Sequence, residues 1–416
     1  MKNNRTFLEK LLDGAEVEWK TLDEISSIYG GLTGKGKADF ENGNALYVPY
    51  KNIFNNIEVD FNNLDTVNVS DDEKQYAIKY GDVLFTGSSE TAEEAGMSSA
   101  VTTKTEQKIY LNSFSFGLRF NDDVELLPEF SKFLFRTLSI RKEIVKSASG
   151  VTRFNISKAR FKKIKIPIPP LSVQTEIVKI LDALTALTSE LTSELTSELI
   201  LRQKQYEYYR EKLLSEEELG KVGFEWKCLG ETCKKVSSGG TPLSTKDEYY
   251  NGDIPWLRTQ EVQFNEIWDT EVAITQEGLD NSSAKWIPEN CVIVAISGAT
   301  AGRSAINKIP LTTNQHCCNL QIAPEYANYR YVFHWVCKEY EKLKSLGQGA
   351  RADLNSGIIK NYPIALPPLR EQHRIVSILD KFETLTNSIT EGLPLAIEQS
   401  QKRYEYYREL LLNFKL

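Results

Sequence analysis

The chain has 416 residues, with 50 lysines and arginines against 57 aspartates and glutamates and a formal net charge of −7. That length exceeds one ordinary hydrophobic core and calls for two or three domains, while 41% hydrophobic and 26% charged content excludes an extended disordered chain. No apolar run reaches the roughly 20 residues that cross a bilayer, and the start, MKNNRTFLEKLLDG, lacks a secretion signal, so a cytoplasmic location without membrane partners is expected.

In chain order, residues 1–168 read as a first globular part of mixed α/β character. Asp82–Phe85 is a short β-rich run, Pro128–Lys146 a helix, and Ile164–Ile168 a closing strand. The glycine-rich stretch from Gly30 to Lys37 lacks the spacing of a phosphate loop and the Ser/Thr that follows its lysine, which leaves Lys35 and Lys37 as phosphate contacts at most. The polar loop Gly87–Thr91, with Ser88 and Ser89, follows a strand and suits either ligand contact or ordinary turn chemistry.

An acidic average weighs against nucleic-acid binding, but the charge is unevenly placed. Lys146 to Lys165 carries seven basic residues and no acidic one. Within it, Arg153 and Asn155 have the forks that read base edges, while Lys158, Arg160 and Lys162 suit phosphates. The alternative for these cations is to complement acidic surface elsewhere.

From Ser172 to Glu218 there is no glycine or proline, and Ile177, Ile180, Leu181, Leu184, Leu187, Leu191, Leu195 and Leu199 recur at three- and four-residue steps. This predicts one long amphipathic helix over the 169–221 connector, roughly 70 Å in length, which needs a partner to cover its stripe. Residues 222–366 form a second α/β part, with a strand at Cys291–Ile296, a helix at Tyr326–Leu346 and a closing strand at Tyr362–Leu366. Its loop Ser297–Arg303 offers Thr300 and Arg303, and a later segment offers Gln348, Arg351, Asp353 and Asn355. Residues 367–416 supply the second helical connector, broken near Gly392-Leu393-Pro394. All six cysteines lie in the second half without zinc-ligand spacing and are expected to be reduced, mostly buried thiols.

The chain is written twice. PPLSVQTEIVKILDALTAL from Pro169 recurs as PPLREQHRIVSILDKFETL from Pro367, and RQKQYEYYREKLL from Arg202 recurs as SQKRYEYYRELLL from Ser400, both at an offset of 198. Weaker matches tie Glu18-Trp19-Lys20 to Glu225-Trp226-Lys227, Gly30-Gly31 to Gly239-Gly240, Pro49-Tyr50 to Pro255-Trp256, and GVTRFNIS from Gly150 to GARADLNS from Gly349.

Inside the first connector, Thr188 to Leu199 is TSEL three times over. With the duplicated PPL and YEYYR blocks, the chain resembles over its full length the DNA-specificity subunits of type I restriction-modification systems, whose first spacer helix carries TAEL-like repeats. Serine in place of alanine changes helix propensity only slightly. The resemblance implies two α/β target-recognition domains separated by two long helices in an antiparallel coiled-coil pair, with a pseudo-two-fold arrangement. It implies a sequence-specific, non-catalytic subunit that reads a bipartite, asymmetric site on double-stranded DNA.

Its implied partners are two methylation subunits and the restriction subunits. S-adenosylmethionine, ATP and magnesium are implied for those partners, and no cofactor or metal for this chain. Tyr206, Tyr208, Tyr209 and their counterparts Tyr404, Tyr406 and Tyr407 either face a partner or seal the helices. Thr188, Leu191, Leu195 and Leu199 mark a measuring element: four residues advance a helix by a turn plus about 40° and about 6 Å, against about 34° and 3.4 Å for one base pair. Deleting Thr188–Leu191 should shorten the preferred spacer by about one base pair. A duplicated enzyme would carry its catalytic groups twice, yet His316, His334 and His373 all lie in the second half, and neither Pro-Pro pair sits in an adenine-methyltransferase motif. The alternatives are a stand-alone DNA-binding protein or a coiled-coil adaptor.

Overall fold

A computed structural model describes residues 6–347, 353–387 and 391–415. The chain divides into two compact units, Met1–Ser193 with Glu398–Leu416, and Glu194–Ile397. Each unit holds one globular part and one stretch from each helical connector.

In the first unit the strands Ser26–Gly30, Ser115–Phe120, Val83–Thr86 and Ser98–Ala100 lie side by side in that order, all antiparallel. A second sheet sets Ala45–Val48 between Asp65–Val67 and Ile109–Leu111. The fully buried rings of Phe85 and Phe161 pack edge to face at 4.9 Å, and Phe116 meets Phe161 at 5.2 Å. The helix expected over Pro128–Lys146 is two, Pro128–Leu134 and Leu138–Ser147, because Thr137 turns out of the first and caps the second.

The second unit has a five-stranded sheet, in the order Cys233–Ser238, Cys317–Ile322, Val292–Ala295, Ser304–Asn307 and Asn265–Ile267, and a four-stranded one built on Tyr250–Leu257. Its expected Tyr326–Leu346 helix likewise splits, into Tyr329–Lys338 and Tyr340–Ser345. The closing strands repeat to the residue. Glu18 lies opposite Ile168 in the pair Glu18–Thr21 and Lys165–Ile168, and Glu225 lies opposite Leu366 in Glu225–Cys228 and Pro363–Leu366.

In the fold some of the weaker sequence matches shift. Leu32 donates its N–H to Leu111 and Gly240 donates to Thr313, so Gly31 corresponds to Gly239. Both are held against backbone: a Cβ at either would lie 1.8 Å from a carbonyl oxygen, of Asn112 or Thr313. Pro49-Tyr50 opens the helix Tyr50–Asn55, whereas Pro255-Trp256 lies within a strand, so that match joins unlike elements.

The first connector is one helix from Leu171 to Leu213, 43 residues long. It ends before the expected Glu218 because the Ser215 side chain accepts the Glu218 N–H and starts the short helix Glu216–Gly220. The second connector is two helices, Leu369–Asn387 and Leu393–Leu412, with Gly392 at φ 87° before the second. Within the first unit, Val173, Ile177 and Leu181 share a core with Leu411, Leu412 and Phe414, and Thr185 meets Tyr404 at 3.1 Å, an antiparallel contact. Within the second, Tyr209 stacks on Phe382 at 5.4 Å while Leu214 shares a core with Ile375 and Leu379, again antiparallel. The leucine stripe is not buried along its whole length: Leu187 is 62% and Leu191 42% exposed, and Leu195 and Leu199 are half-buried. A strict four-residue repeat drifts about 40° per step, so its leucines cannot stay on one side. No helix among the described residues is long and apolar enough to cross a membrane.

Candidate nucleic-acid interface

Two segments far apart in the sequence form one small sheet in the first unit. Ser88–Ser89 pairs antiparallel with Phe154–Ile156, with Asn155 opposite Ser88, and Phe154–Ile156 pairs in turn with Ala148–Ser149. The tight turn between the last two needs glycine at position 150, whose φ is 149° and whose Cβ would lie 1.9 Å from the Arg153 carbonyl oxygen. The turn presents Val151, Thr152 and Arg153 to solvent.

Arg153 is held at two points. Its Nε donates to Ser88 Oγ at 3.2 Å, and its guanidinium carbon sits 5.6 Å from the centre of the Phe114 ring, itself 60% exposed. The Ser88 carbonyl accepts from Tyr50 Oη at 2.8 Å, and Tyr50 stacks on Phe54. Tyr50, Lys51, Phe54, Phe114 and Arg153 line a cleft of about 540 Å³. Among the described residues the terminal nitrogens of Arg153 make no hydrogen bond, so a planar two-donor fork points outward from a fixed stem. Such a fork matches the two acceptors of guanine in the major groove, or a phosphate.

The other expected contacts are placed as follows. Asn155, Lys158 and Arg160 are exposed, as are Lys163 and Lys165, while Lys162 pairs with Asp23 at 2.9 Å on the surface. Ser88 and Ser89 are buried; the Ser89 hydroxyl donates to Glu94, so both serve the interior of the site. Lys37 is exposed. Lys35 is not: its ammonium is buried against Glu73 at 2.5 Å, and hydrogen bonds from Gln75 and Lys35 hold that carboxyl at about 2.

The second unit repeats the placement with other residues. Leu354 donates its N–H to the Ile296 carbonyl as Ile156 does to Gly87, and Asp353 Oδ1 accepts the Gly298 N–H at 3.3 Å. Thr300 Oγ1 donates to the Thr259 carbonyl at 2.8 Å, and the Arg303 guanidinium lies 6.0 Å from the Phe264 ring centre. Asn355 caps the helix Ser356–Asn361 by accepting from Ile358, as Ser157 precedes Lys158–Phe161. Ile156 and Leu354, like Ser157 and Asn355, are 198 residues apart, one fewer than the match from Gly150 to Gly349 implied, and in sequence that offset pairs Arg153 with Arg351. Gln348 and Arg351 lie outside the described residues.

His334, Asp380 and Glu383 come together with metal-ligand chemistry. Arg330 fills the place a cation would take: it reaches Asp380 at 2.7 Å, Glu383 at 2.6 Å and Glu266 at 2.5 Å. The group is an ionic joint between the helices Tyr329–Lys338 and Leu369–Asn387.

The chain matches the type I restriction modification DNA specificity domain twice, over residues 15–200 and 221–399. It belongs to the type I restriction-modification DNA-specificity family. A protein of Haemophilus influenzae provisionally named a type I restriction enzyme specificity subunit is 41% identical over 427 residues, with the whole of both chains covered. The type I restriction enzyme EcoR124I/EcoR124II specificity subunit of Escherichia coli is 36% identical, covering 98% of this chain and 97% of that one. In fold, a solved chain of a type I R-M system aligns with TM-score 0.69 at 16% identity, covering 97% of this chain and 99% of that one. The HsdS subunit of Thermoanaerobacter tengcongensis aligns with TM-score 0.56, also at 16% identity, over 97% and 98%. Two specificity domains joined by long antiparallel helices are therefore the architecture of this family member.

Sequence reading missed the aromatic floor of the cleft and the polar residues that join domains to helices. Tyr50, Phe54 and Phe114 give no local signal, since aromatic side chains are more often core than surface. Gln174 and Asp182 did carry a signal: they are the polar identities inside the duplicated PPL block, recurring as Gln372 and Asp380.

Proposed function

We propose that this specificity subunit is non-catalytic, works in the cytoplasm, and reads one half-site of a bipartite double-stranded DNA sequence with each unit. Two methylation subunits would bind along the helices, and restriction subunits would dock on that assembly. S-adenosylmethionine, ATP and magnesium would belong to those partners. The observation that carries the reading is Arg153, anchored at Nε by Ser88, backed by Phe114 and with terminal nitrogens that make no hydrogen bond among the described residues, in a chain whose sequence repeats at an offset of 198.

In this reading Asn155 joins Arg153 at base edges, and Lys37, Lys158, Arg160, Lys163 and Lys165 are phosphate contacts. Thr300, Arg303, Gln348, Arg351 and Asn355 are the corresponding set in the second unit. The helix Leu171–Leu213 sets the separation of half-sites, with Thr188, Leu191, Leu195 and Leu199 as its repeated steps. Methylome sequencing of cells carrying the chain with its methylation subunit tests all of this together. The expected result is two fixed half-sites with a constant gap, and a gap about one base pair shorter after deletion of Thr188–Leu191. Methylation without a bipartite pattern, or an unchanged gap after the deletion, overturns the corresponding part.

A further inference from the structure

In each unit the globular domain is joined to its helix by apolar packing and by directional polar contacts, two of which recur in both units. The first contact is a buried glutamine in the opening turns of the helix. Gln174 is fully buried; its Oε1 accepts the Leu127 N–H at 2.9 Å, and its Nε2 donates to the carbonyls of Glu125 at 2.8 Å and Pro169 at 2.7 Å. Gln372, 1% exposed, accepts the Asn328 N–H at 2.9 Å and donates to Pro367 at 2.9 Å and Tyr326 at 3.5 Å.

The second is an ion pair two turns further along. Lys132, whose side chain is 8% exposed, reaches Asp182 at 2.9 Å; Arg330, 15% exposed, reaches Asp380 at 2.7 Å. All three pairs of counterparts, Gln174 and Gln372, Asp182 and Asp380, Lys132 and Arg330, are separated by 198 residues.

We propose that these glutamines and ion pairs are positioning residues that fix the angle of each recognition domain on its helix, and so set how strictly the subunit discriminates spacer length. The inference rests on the bipartite reading above. Apolar packing at Val173, Ile177 and Leu181, and at Ile375 and Leu379, holds domain and helix together, but such contact is non-directional and tolerates rotation. Hydrogen bonds and ion pairs are directional. Eight residues separate the glutamine from the aspartate, about 12 Å of helix, so the two contacts form a lever that resists tilting. A spacer one base pair too long or too short displaces a half-site by about 3.4 Å and about 34°, which a joint free to pivot would absorb.

The ties contribute nothing to base reading, since Gln174 and Asp182 lie on the helix Leu171–Leu213 and Gln372 and Asp380 on Leu369–Asn387, outside the small sheet whose turn carries Arg153. Their loss is therefore expected to leave both half-sites unchanged and to broaden the gap between them.

The experiment compares the full chain with its Lys132→Met and Asp380→Asn variants, each in cells with the methylation subunit, and reads half-site bases and gap lengths from one methylome. Lys132→Met keeps the aliphatic stem, and Lys132→Arg serves as the rescue. The expected result is at least about a threefold rise in methylation at gaps one base pair off the preferred length, an increment of about 0.7 kcal/mol in discrimination, with unchanged half-sites and recovery in Lys132→Arg. An unchanged gap distribution, even with lower thermal stability, overturns the proposal, as does relaxation of the half-site bases themselves. If the unmodified chain gives no bipartite methylation, the underlying reading fails instead, and the two failures are distinguishable in the same data.

Discussion

Arg153 Nε donates to the hydroxyl of Ser88 across 65 residues of sequence, and the contact turns two separate polar loops into one surface. Removing the fork by Arg153→Ala is expected to weaken binding to the preferred duplex by about 1–3 kcal/mol and to relax one base position. Ser88→Ala should weaken binding less while relaxing the same position, because the fork remains and loses only its anchor. Lys163→Ala should instead weaken all sequences alike and lower the salt slope of binding by about 1. Binding isotherms on a set of single-base variants at several salt concentrations separate the three outcomes; uniform weakening by Arg153→Ala would remove it from base reading.

Gln372→Leu should act on one unit alone. The substitution orphans the Asn328 N–H and the Pro367 carbonyl in a site 1% exposed, at about 1–3 kcal/mol per orphaned group. The urea transition of the second unit should move to lower concentration while that of the first stays in place. Because the chain has two compact units, the transitions should be followed with probes in each rather than fitted as one. A joint shift of both would show that the units unfold together.

Much of the plan was legible because duplication doubles weak signals. The repeated PPL and YEYYR blocks located both connectors, and the glycine–proline break appeared where Leu393–Leu412 begins. Helix interruptions at Thr137 and Ser215 were less visible, since a serine or threonine marks a cap only when its side chain turns back to the backbone. Lys35 illustrates the limit for sites: in the sequence it stands among glycines as an open cation, and only the fold brings Glu73 to it from 38 residues away. Arg153 and Ser88 each stand out in the sequence, but their contact depends on a strand pairing that no local pattern encodes.

The thiols should be largely inert in the folded chain. Cys291, Cys317, Cys318 and Cys337 are buried, and burial pushes Cys291, Cys318 and Cys337 up to about 12, so the thiolate is scarce at neutral pH. Cys233 is partly exposed, yet burial raises it to about 11. A thiol-reactive chromophore at neutral pH should therefore label Cys228 first, Cys233 slowly, and the remaining four only after denaturant is added. Rapid labelling of more than two thiols in the native chain would contradict the packing around the sheet strands Val292–Ala295 and Cys317–Ile322.

The ionic joint of the second unit has a pH dependence in which two groups oppose each other. Burial, with Asp380 and Glu266 nearby, raises the Glu383 carboxyl to about 7 despite the adjacent Arg330 guanidinium. The folded state thus binds that proton more tightly than the unfolded one, whose carboxyl titrates at 4.5. This contribution is fully present below about 4.5 and is lost as pH rises towards 7. His334 goes the other way: burial lowers it from 6.5, with the Asp380 carboxylate opposing and Arg330 and Arg210 assisting. Its neutral ring donates from Nε2 to Asp380 at 2.8 Å and accepts from Tyr206 at Nδ1, so stability is lost as pH falls below 6.5. Glu383→Gln removes the first dependence and leaves the second. The melting temperature of the variant relative to the unmodified chain should therefore rise between pH 5 and pH 8, by an amount equivalent to a few kcal/mol at most. A difference that stays flat across that range would mean that Glu383 is ionised throughout, as a simple ion pair with Arg330 would have it.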